Sequence, residues 1–462
     1  MNKKSSDTPR PLKESVALTV DFSDLMGEIR PLHSVNMGPI SLGGVIDLSE
    51  HHRELGFPLT RTHDALFGLP GAIDVHCVFP LFDADPEDPA NYTFGLSDDY
   101  VKSIIDVGSK VYYRLGETIE HHRIRKHYSN PPEDFDKWAR ICVNIVRHYN
   151  EGWAGGFHHD IQHWEIWNEA SNPPCWTGTM EDYYRLYETA VRALKAHNPK
   201  LKVGGPATGD YDGIANDPFG RGFLDYVRER DVPLDFYSWH AYPDHPAKIL
   251  QRGLAARKYL DDHGFSHVES HLNEWNLSSY GWDFMTDLAG LAERTFANSS
   301  GPQGAAFIAG VLTLLQDAGV DEAHFYWGRE GWWGLFDPYC RPLPNFYAFL
   351  AFKKLIDLAP RRVRTNGGDP ATGLTALAGI SGDDSAAAIL LSNFDNATTM
   401  VDLSLHGPWQ GATDCEVALV DDQRRLDVVS QKQVSMGSVV QIPLPAGTVC
   451  LVTLRKNSLE KN

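Results

Sequence analysis

Eight short, apolar, strand-like runs alternate with helical patterns from about residue 29 to 350, and this alternation narrows the fold more than any other feature. The runs are Leu32–Asn36, Leu59–Thr62, Lys110–Leu115, His163–Trp167, Lys202–Gly205, Phe236–His240, His271–Asn273 and His324–Trp327. Parallel neighbours need a long crossover, so strands separated by helices predict a parallel sheet. Eight such units suit an α/β fold closed as a (β/α)8 TIM barrel better than an open sheet. No Gly-x-Gly-x-x-Gly fingerprint follows the first run, which removes the main sign of a dinucleotide fold.

The intervening helices are legible. Residues 182–196 place Tyr183, Leu186, Tyr187, Ala190, Val191 and Leu194 at helical spacing and stop at His197-Asn198-Pro199. Phe135–Asn150 and Asn345–Leu358 are also expected to be helical. Beyond them only short β runs occur: Thr375–Ile380, Ala386–Ser392, Thr398–Leu405, Asp414–Val420, Val439–Pro443 and Val449–Leu454. Turn residues separate them, which predicts a C-terminal β-sandwich. The early run Ser15–Asp21 is expected to join that sandwich, and the polar residues 1–14 to be disordered. The expected division is a tail and strand over 1–28, a barrel over 29–358 and a sandwich over 359–462.

A net charge of −19 argues against nucleic acid or an anionic membrane as partner. No apolar run reaches the roughly 18 residues that a membrane span needs. The opening Met-Asn-Lys-Lys-Ser-Ser-Asp has no apolar core of a signal peptide. The six cysteines show neither CxxC pairing nor regular spacing and are expected to be buried free thiols. Together these predict a cytoplasmic protein, unless a leader has been lost. Association into a homo-oligomer is left open.

Two of the runs end on Asn-Glu: His163-Trp-Glu-Ile-Trp-Asn168-Glu169 and His271-Leu-Asn273-Glu274. In a barrel, catalytic groups come from strand C-termini and the loops after them. Carboxylates on the fourth and seventh strands can face each other across a sugar ring, the minimum needed to cut a glycosidic bond. Glu169 is expected to be the acid/base, with a pKa that cycles as it gives and takes a proton, and Glu274 the nucleophile. Asn168 offers an amide to a sugar 2-hydroxyl. Glu274 needs donors to stay ionised, for which Arg61 and Tyr242 are candidates. Trp275 and Trp327 belong to a set of aromatic residues at strand ends that suits stacking on a sugar face. Trp327 is expected to form the pocket floor. Arg114 could grip a substrate carboxylate in bidentate fashion, although an internal partner such as Glu117 is equally available.

The segment from His163 to Glu169, followed by Cys175-Trp176-Thr-Gly178 and Tyr183-Tyr184-Arg-Leu-Tyr187, resembles glycoside hydrolase family 39, of the retaining clan of (β/α)8-barrel glycosidases. So do Asn198-Pro199-Lys-Leu-Lys-Val-Gly204-Gly205-Pro206-Ala207-Thr208, Asp235-Phe-Tyr-Ser-Trp-His240-Ala-Tyr242 and His324-Phe-Tyr-Trp327. The resemblance extends over about residues 30–355. It implies that Glu169 is the acid/base and Glu274 the nucleophile. It further implies that His63 and Asp64 bind sugar hydroxyls, and that His240 and Tyr242 sit where the nucleophile is held. The chain departs from the family at Trp167-Asn168-Glu169-Ala170-Ser171, where Pro-Asn usually follows the glutamate, and at Trp332-Trp333-Gly334-Leu335-Phe336. These differences bear on substrate rather than on chemistry.

The expected function is a retaining, exo-acting glycoside hydrolase, most like a β-xylosidase. An α-L-arabinofuranosidase, a β-galactosidase-like enzyme or a non-catalytic carbohydrate-binding barrel are the alternatives. The partner is then an oligosaccharide or glycoside, and no cofactor is expected. The histidine clusters His121-His122 with His127, and His158-His159-Asp160 with His163, lack metal-ligand spacing, so no metal is expected. No Gly-x-Ser-x-Gly elbow supports a serine hydrolase.

Overall fold

The computed structural model describes residues 15–67, 69–121, 124–282 and 290–456. The disorder expected of residues 1–14 and the reading of His122 lie outside them. Eight parallel strands close into a barrel in chain order: Ser34–Asn36, Leu59–Arg61, Lys110–Leu115, His163–Ile166, Lys202–Thr208, Phe236–Ala241, Glu269–Trp275 and Glu322–Phe325. The last pairs back on the first, His324 against Ser34 and Phe325 against Val35. Every expected run is therefore a barrel strand.

Local chemistry sets the helix ends. Phe135–Glu151 begins where the Asp134 carboxylate accepts from the Lys137 amide, and it stops at Gly152 in the left-handed region. Met180–His197 begins with a reciprocal capping box between Thr179 and Asp182. Each buries one apolar face, Ile141, Cys142, Ile145 and Val146 in the first, Leu186, Tyr187, Val191 and Leu194 in the second.

The barrel interior is stacked in layers of unusual composition. Flat rings fill the N-terminal end: Tyr112 lies 4.9 Å from His324 and 5.5 Å from His163, and Phe236 stacks on His271 at 4.4 Å. Branched aliphatic side chains usually do this work. Above the rings sits a polar layer of Asn36, Arg61, Glu165, Ser238 and Asn273, each at most 0% exposed. Above that lies the mouth.

The largest sheet outside the barrel has nine strands and is mostly antiparallel. Val16–Glu28 lies inside it, parallel to Met400–His406 on one side and antiparallel to Arg361–Asn366 on the other. Two strands escape the sequence reading, Arg361–Asn366 and Arg425–Val434. Both are largely polar, and the second is an edge strand with exposed side chains, so neither carries an apolar alternation. Ala386–Asn393 is buried along its whole length. Its alternate residues Ala388 and Leu390 pack with the barrel helices, whereas Ala387, Ile389 and Leu391 belong to the sheet's own core. All six cysteines are unpaired. Among the described residues, no helix is long and apolar enough to cross a membrane.

Candidate active site

The mouth of the barrel opens into a cavity of about 640 Å3 whose lining includes Glu169 and Glu274. One carboxylate oxygen of Glu169 and one of Glu274 lie within 4.8 Å of each other. Both side chains reach the cavity by a break in strand alternation. His163 and Glu165 of the fourth strand face the barrel interior, and continued alternation would send Trp167 there too. Trp167 instead takes φ +68° and packs outward on Trp176, so that Asn168 turns in and Glu169, at φ +42°, follows. In the seventh strand His271 and Asn273 face inward. A register shift then pairs Trp239 with Leu272 but His240 with Glu274, and the bulge brings Glu274 inward.

Arg61 organises the layer below. Its Nη1 donates to Glu274 Oε1 at 2.7 Å and to Asn36 Oδ1 at 3.0 Å. Its Nε donates to Glu165 Oε2 at 2.7 Å and its Nη2 to Asn168 Oδ1 at 2.7 Å. Glu165 is completed by Ser238 Oγ at 2.7 Å and by the Asn273 amide. Burial opposes the guanidinium charge, but Glu165 and Glu274 outweigh it and hold Arg61 protonated. The contact to Asn168 Oδ1 also fixes that amide, which leaves its NH2 to donate elsewhere.

The two glutamates sit in different surroundings. Tyr242 donates to Glu274 Oε2 at 2.7 Å, so both oxygens of Glu274 accept from a donor. Glu169 Oε1 lies 2.7 Å from His240 Nδ1, and Asn172 Nδ2 donates to its Oε2 at 3.1 Å. His240 Nδ1 is also 3.4 Å from Glu274 Oε2, so the imidazole bridges the pair. Burial pushes Glu169 up, but the His240 bond and charge prevail and hold it below its ordinary range. Burial likewise opposes charge on His240, and the two carboxylates raise its pKa regardless. Beside them, burial and then the charge of Glu274 push Asp64 up to about 6, against a 2.8 Å bond from the Tyr326 hydroxyl. Burial keeps His63 well below its ordinary range, hence neutral.

Of the residues singled out in the sequence, Asn168, Glu169, His63, Asp64, Tyr242, Glu274 and Trp327 line the cavity. His240 lies just beneath it, on the two carboxylates. Trp275 does not reach it. The bulge that turns Glu274 in turns Trp275 out, where it is fully buried against Phe307, Phe325 and Phe349. Arg114 is also withdrawn: its Nη2 donates to Asp74 Oδ1 at 2.7 Å, and it is 0% exposed. Asp74, and not Glu117, is its partner, and neither residue of this buried pair lines the cavity. Sequence reasoning missed Glu165, Asn36, Asn172 and Tyr326. A glutamate in the middle of an otherwise apolar strand was the available signal for Glu165, since a buried charge needs a partner.

Among the described residues two groups could present ligands to a cation, Glu169 with His240 and Glu274, and Asp74 with His76 and Glu117. In both an arginine already neutralises a carboxylate at 2.7 Å, Arg61 on Glu274 and Arg114 on Asp74. A further cation would have to compete with it.

A family model described as glycosyl hydrolases family 39 matches residues 48–284, just over half of the chain. A beta-xylosidase from Geobacillus stearothermophilus is 28% identical over 265 residues, 49% of this chain and 48% of that protein, so the match spans about half of that relative. A beta-xylosidase from Caldicellulosiruptor saccharolyticus is 24% identical over 390 residues, 74% of this chain and 72% of that one. Among solved structures, a glucosidase from Croceicoccus marinus superposes with a TM-score of 0.80 at 25% identity, over 96% of this chain and all of the other.

Proposed function

Since the chain belongs to glycosyl hydrolases family 39, we propose that it hydrolyses glycosides by double displacement, with Glu274 as nucleophile and Glu169 as acid/base. One observation carries this reading: two carboxylates on the fourth and seventh strand ends have oxygens within 4.8 Å of one another. A glycosyl-enzyme mechanism uses carboxyl groups about 5–5.5 Å apart, whereas inversion needs room for a water between them. Arg61 and Tyr242 each donate to one oxygen of Glu274 and so hold its carboxylate aimed, as a nucleophile must be. The proton that Glu169 gives to the leaving oxygen is held in the pair it forms with His240. Once Glu274 is esterified, its negative charge is gone, and Glu169 accepts a proton from the attacking water. The Asn168 NH2, set by Arg61, is placed to bind the sugar 2-hydroxyl.

A cavity of about 640 Å3 has room for a sugar and one leaving group, which is in keeping with exo-action. Its described lining contains acidic and aromatic residues and neither Lys nor Arg, which favours a neutral glycone over a uronic acid. β-D-Xylosides come first because of the two related beta-xylosidases, and β-D-glucosides second because of the structural likeness to a glucosidase. Glu274→Gln should cut turnover by about 10^4-fold or more while circular dichroism and melting stay those of the wild type. A variant that keeps wild-type rates refutes the role. Glu169→Ala should lose activity on poor leaving groups and regain it with azide on an activated aryl glycoside, yielding a glycosyl azide of retained configuration. A product of inverted configuration overturns double displacement.

A further inference from the structure

We infer that the leaving-group side of this cavity is built for an aromatic aglycone, a phenol-type leaving group, rather than for a second sugar. The inference rests on the assignment of Glu169 as acid/base, because the leaving group lies beside the residue that protonates it. Glu169 ends the fourth barrel strand, so its neighbours in the wall come from the loops after the third, fourth and fifth strands. Those loops contribute Ile119, Pro173, Pro174 and Tyr211 to the cavity. The Glu120 amide donates to the Pro174 carbonyl at 2.9 Å, which fastens the third loop, with Ile119, to the fourth, with its two prolines. Tyr211 is placed on the other flank by Gly209, where even an added methyl would stand 3.4 Å from Glu169 Oε1.

A sugar needs hydrogen-bond partners for its hydroxyls, and a site that binds one presents polar groups to it. On this side Asn172, Ser171 and Asp210 each have a partner within the protein, and His121 is the further polar residue of the described lining. Asn172 Nδ2 donates to Glu169 Oε2 at 3.1 Å, Ser171 pairs with the Tyr211 hydroxyl, and Asp210 Oδ1 accepts from Arg252 Nη1 at 2.6 Å. What faces the leaving group is therefore a tyrosine ring, two pyrrolidine rings, a branched aliphatic chain and the flat imidazole of His121. Such surfaces pack on a flat ring and gain nothing specific from a hydroxylated one. The leaving phenol needs no further group: the C–O bond breaks with its electron pair going to oxygen, and Glu169 supplies the proton.

The test compares leaving groups on one glycone. With wild-type enzyme, kcat/KM is measured for phenyl β-D-xyloside, xylobiose and β-D-xylosyl fluoride, and for the corresponding glucosyl series. Binding of phenyl and methyl 1-thio-β-D-xylosides and 1-thio-β-D-glucosides, which resist cleavage, is measured by calorimetry. The phenyl thioglycoside should bind at least about tenfold more tightly than the methyl one. In Tyr211→Ala and Ile119→Ser, the ratio of phenyl glycoside to glycosyl fluoride turnover should fall by about tenfold, through KM more than kcat. Equal binding of phenyl and methyl thioglycosides, or a ratio unmoved in both variants, overturns the inference even if the enzyme turns over the fluoride well. If neither glycone series is turned over at all, it is the glycosidase reading that falls. The phenyl preference in binding still decides the slot.

Discussion

Arg61 gives Glu274 a permanent counter-charge, whereas Glu169 shares a proton site with His240. This difference makes a pH prediction. His240 has its pKa raised above the ordinary 6.5 and Glu169 has its own lowered below 4.5, so the pair keeps one proton between those values. That proton leaves as pH rises through the raised histidine value. The alkaline limb of kcat/KM should therefore lie above pH 6.5, and the same loss removes the stability that His240 contributes, which is full below its unfolded pKa. A limb below pH 6.5 in a pH–rate profile would show that the pair does not supply the proton. Tyr242→Phe removes one of the two donors on Glu274 and leaves the ring in place. It should lower kcat by about 10^2-fold with little change in melting temperature, read from steady-state kinetics and calorimetry. The sequence made both glutamates legible, because Asn-Glu stood at the ends of two apolar runs of a periodic series. It also pointed to Arg61 and Tyr242 as donors. What it could not supply was direction. Trp275 is adjacent to Glu274 in the chain and faces the opposite way, and Arg114 points to an aspartate forty residues earlier. Neither fact follows from residue type.

At the scale of elements, the fourth and seventh barrel strands depart from regular alternation just before their glutamate, one through the backbone at Trp167 and the other through a bulge after Leu272. A strict strand would have presented tryptophans to the substrate and glutamates to the helices. Period-2 reasoning finds such strands but not the residue at which they turn. The same limit applies to the outer sheet. Its apolar strands were legible, whereas the polar edge Arg425–Val434 was not, since solvent and not a core receives its side chains. The strand Val16–Glu28 is of the legible kind: Leu18, Val20 and Phe22 alternate into the sheet's core. Leu18→Ala should lower unfolding free energy by about 2–5 kcal/mol, as for other leucines buried without exposure, and denaturant melts will measure it. A change below about 0.5 kcal/mol would mean that this strand adds little to the sheet.

For the molecule as a whole, the barrel and the sheet hold a wall in common. The helices Pro302–Leu314 and Pro344–Leu358 cover the barrel strands on one side and receive Leu377, Leu390, Val449 and Leu451 of the sheet on the other. Polar ties cross the same boundary: Ser392 Oγ donates to the Ala306 carbonyl at 2.7 Å, and Gln303 Nε2 to the Phe394 carbonyl at 2.8 Å. Removing either partner would expose a wide apolar face. Scanning calorimetry should accordingly give one cooperative transition for the intact chain, and two well-separated peaks would show that the halves are independent. Composition had suggested a boundary near residue 359 but not how strongly the parts depend on each other, because a helix buried on both faces reads simply as apolar. The sheet also takes its strands from opposite ends of the chain, Val16 lying beside Val401. A growing polypeptide leaves the ribosome with that early segment unmatched, and its hydrogen-bonding edges stay open until nearly all the rest has been synthesised. Newly made molecules of this protein thus carry an unmatched, sticky ribbon until the strands around Val363 and Val401 have been made, and their yield in a cell depends on how well that ribbon is kept from its neighbours.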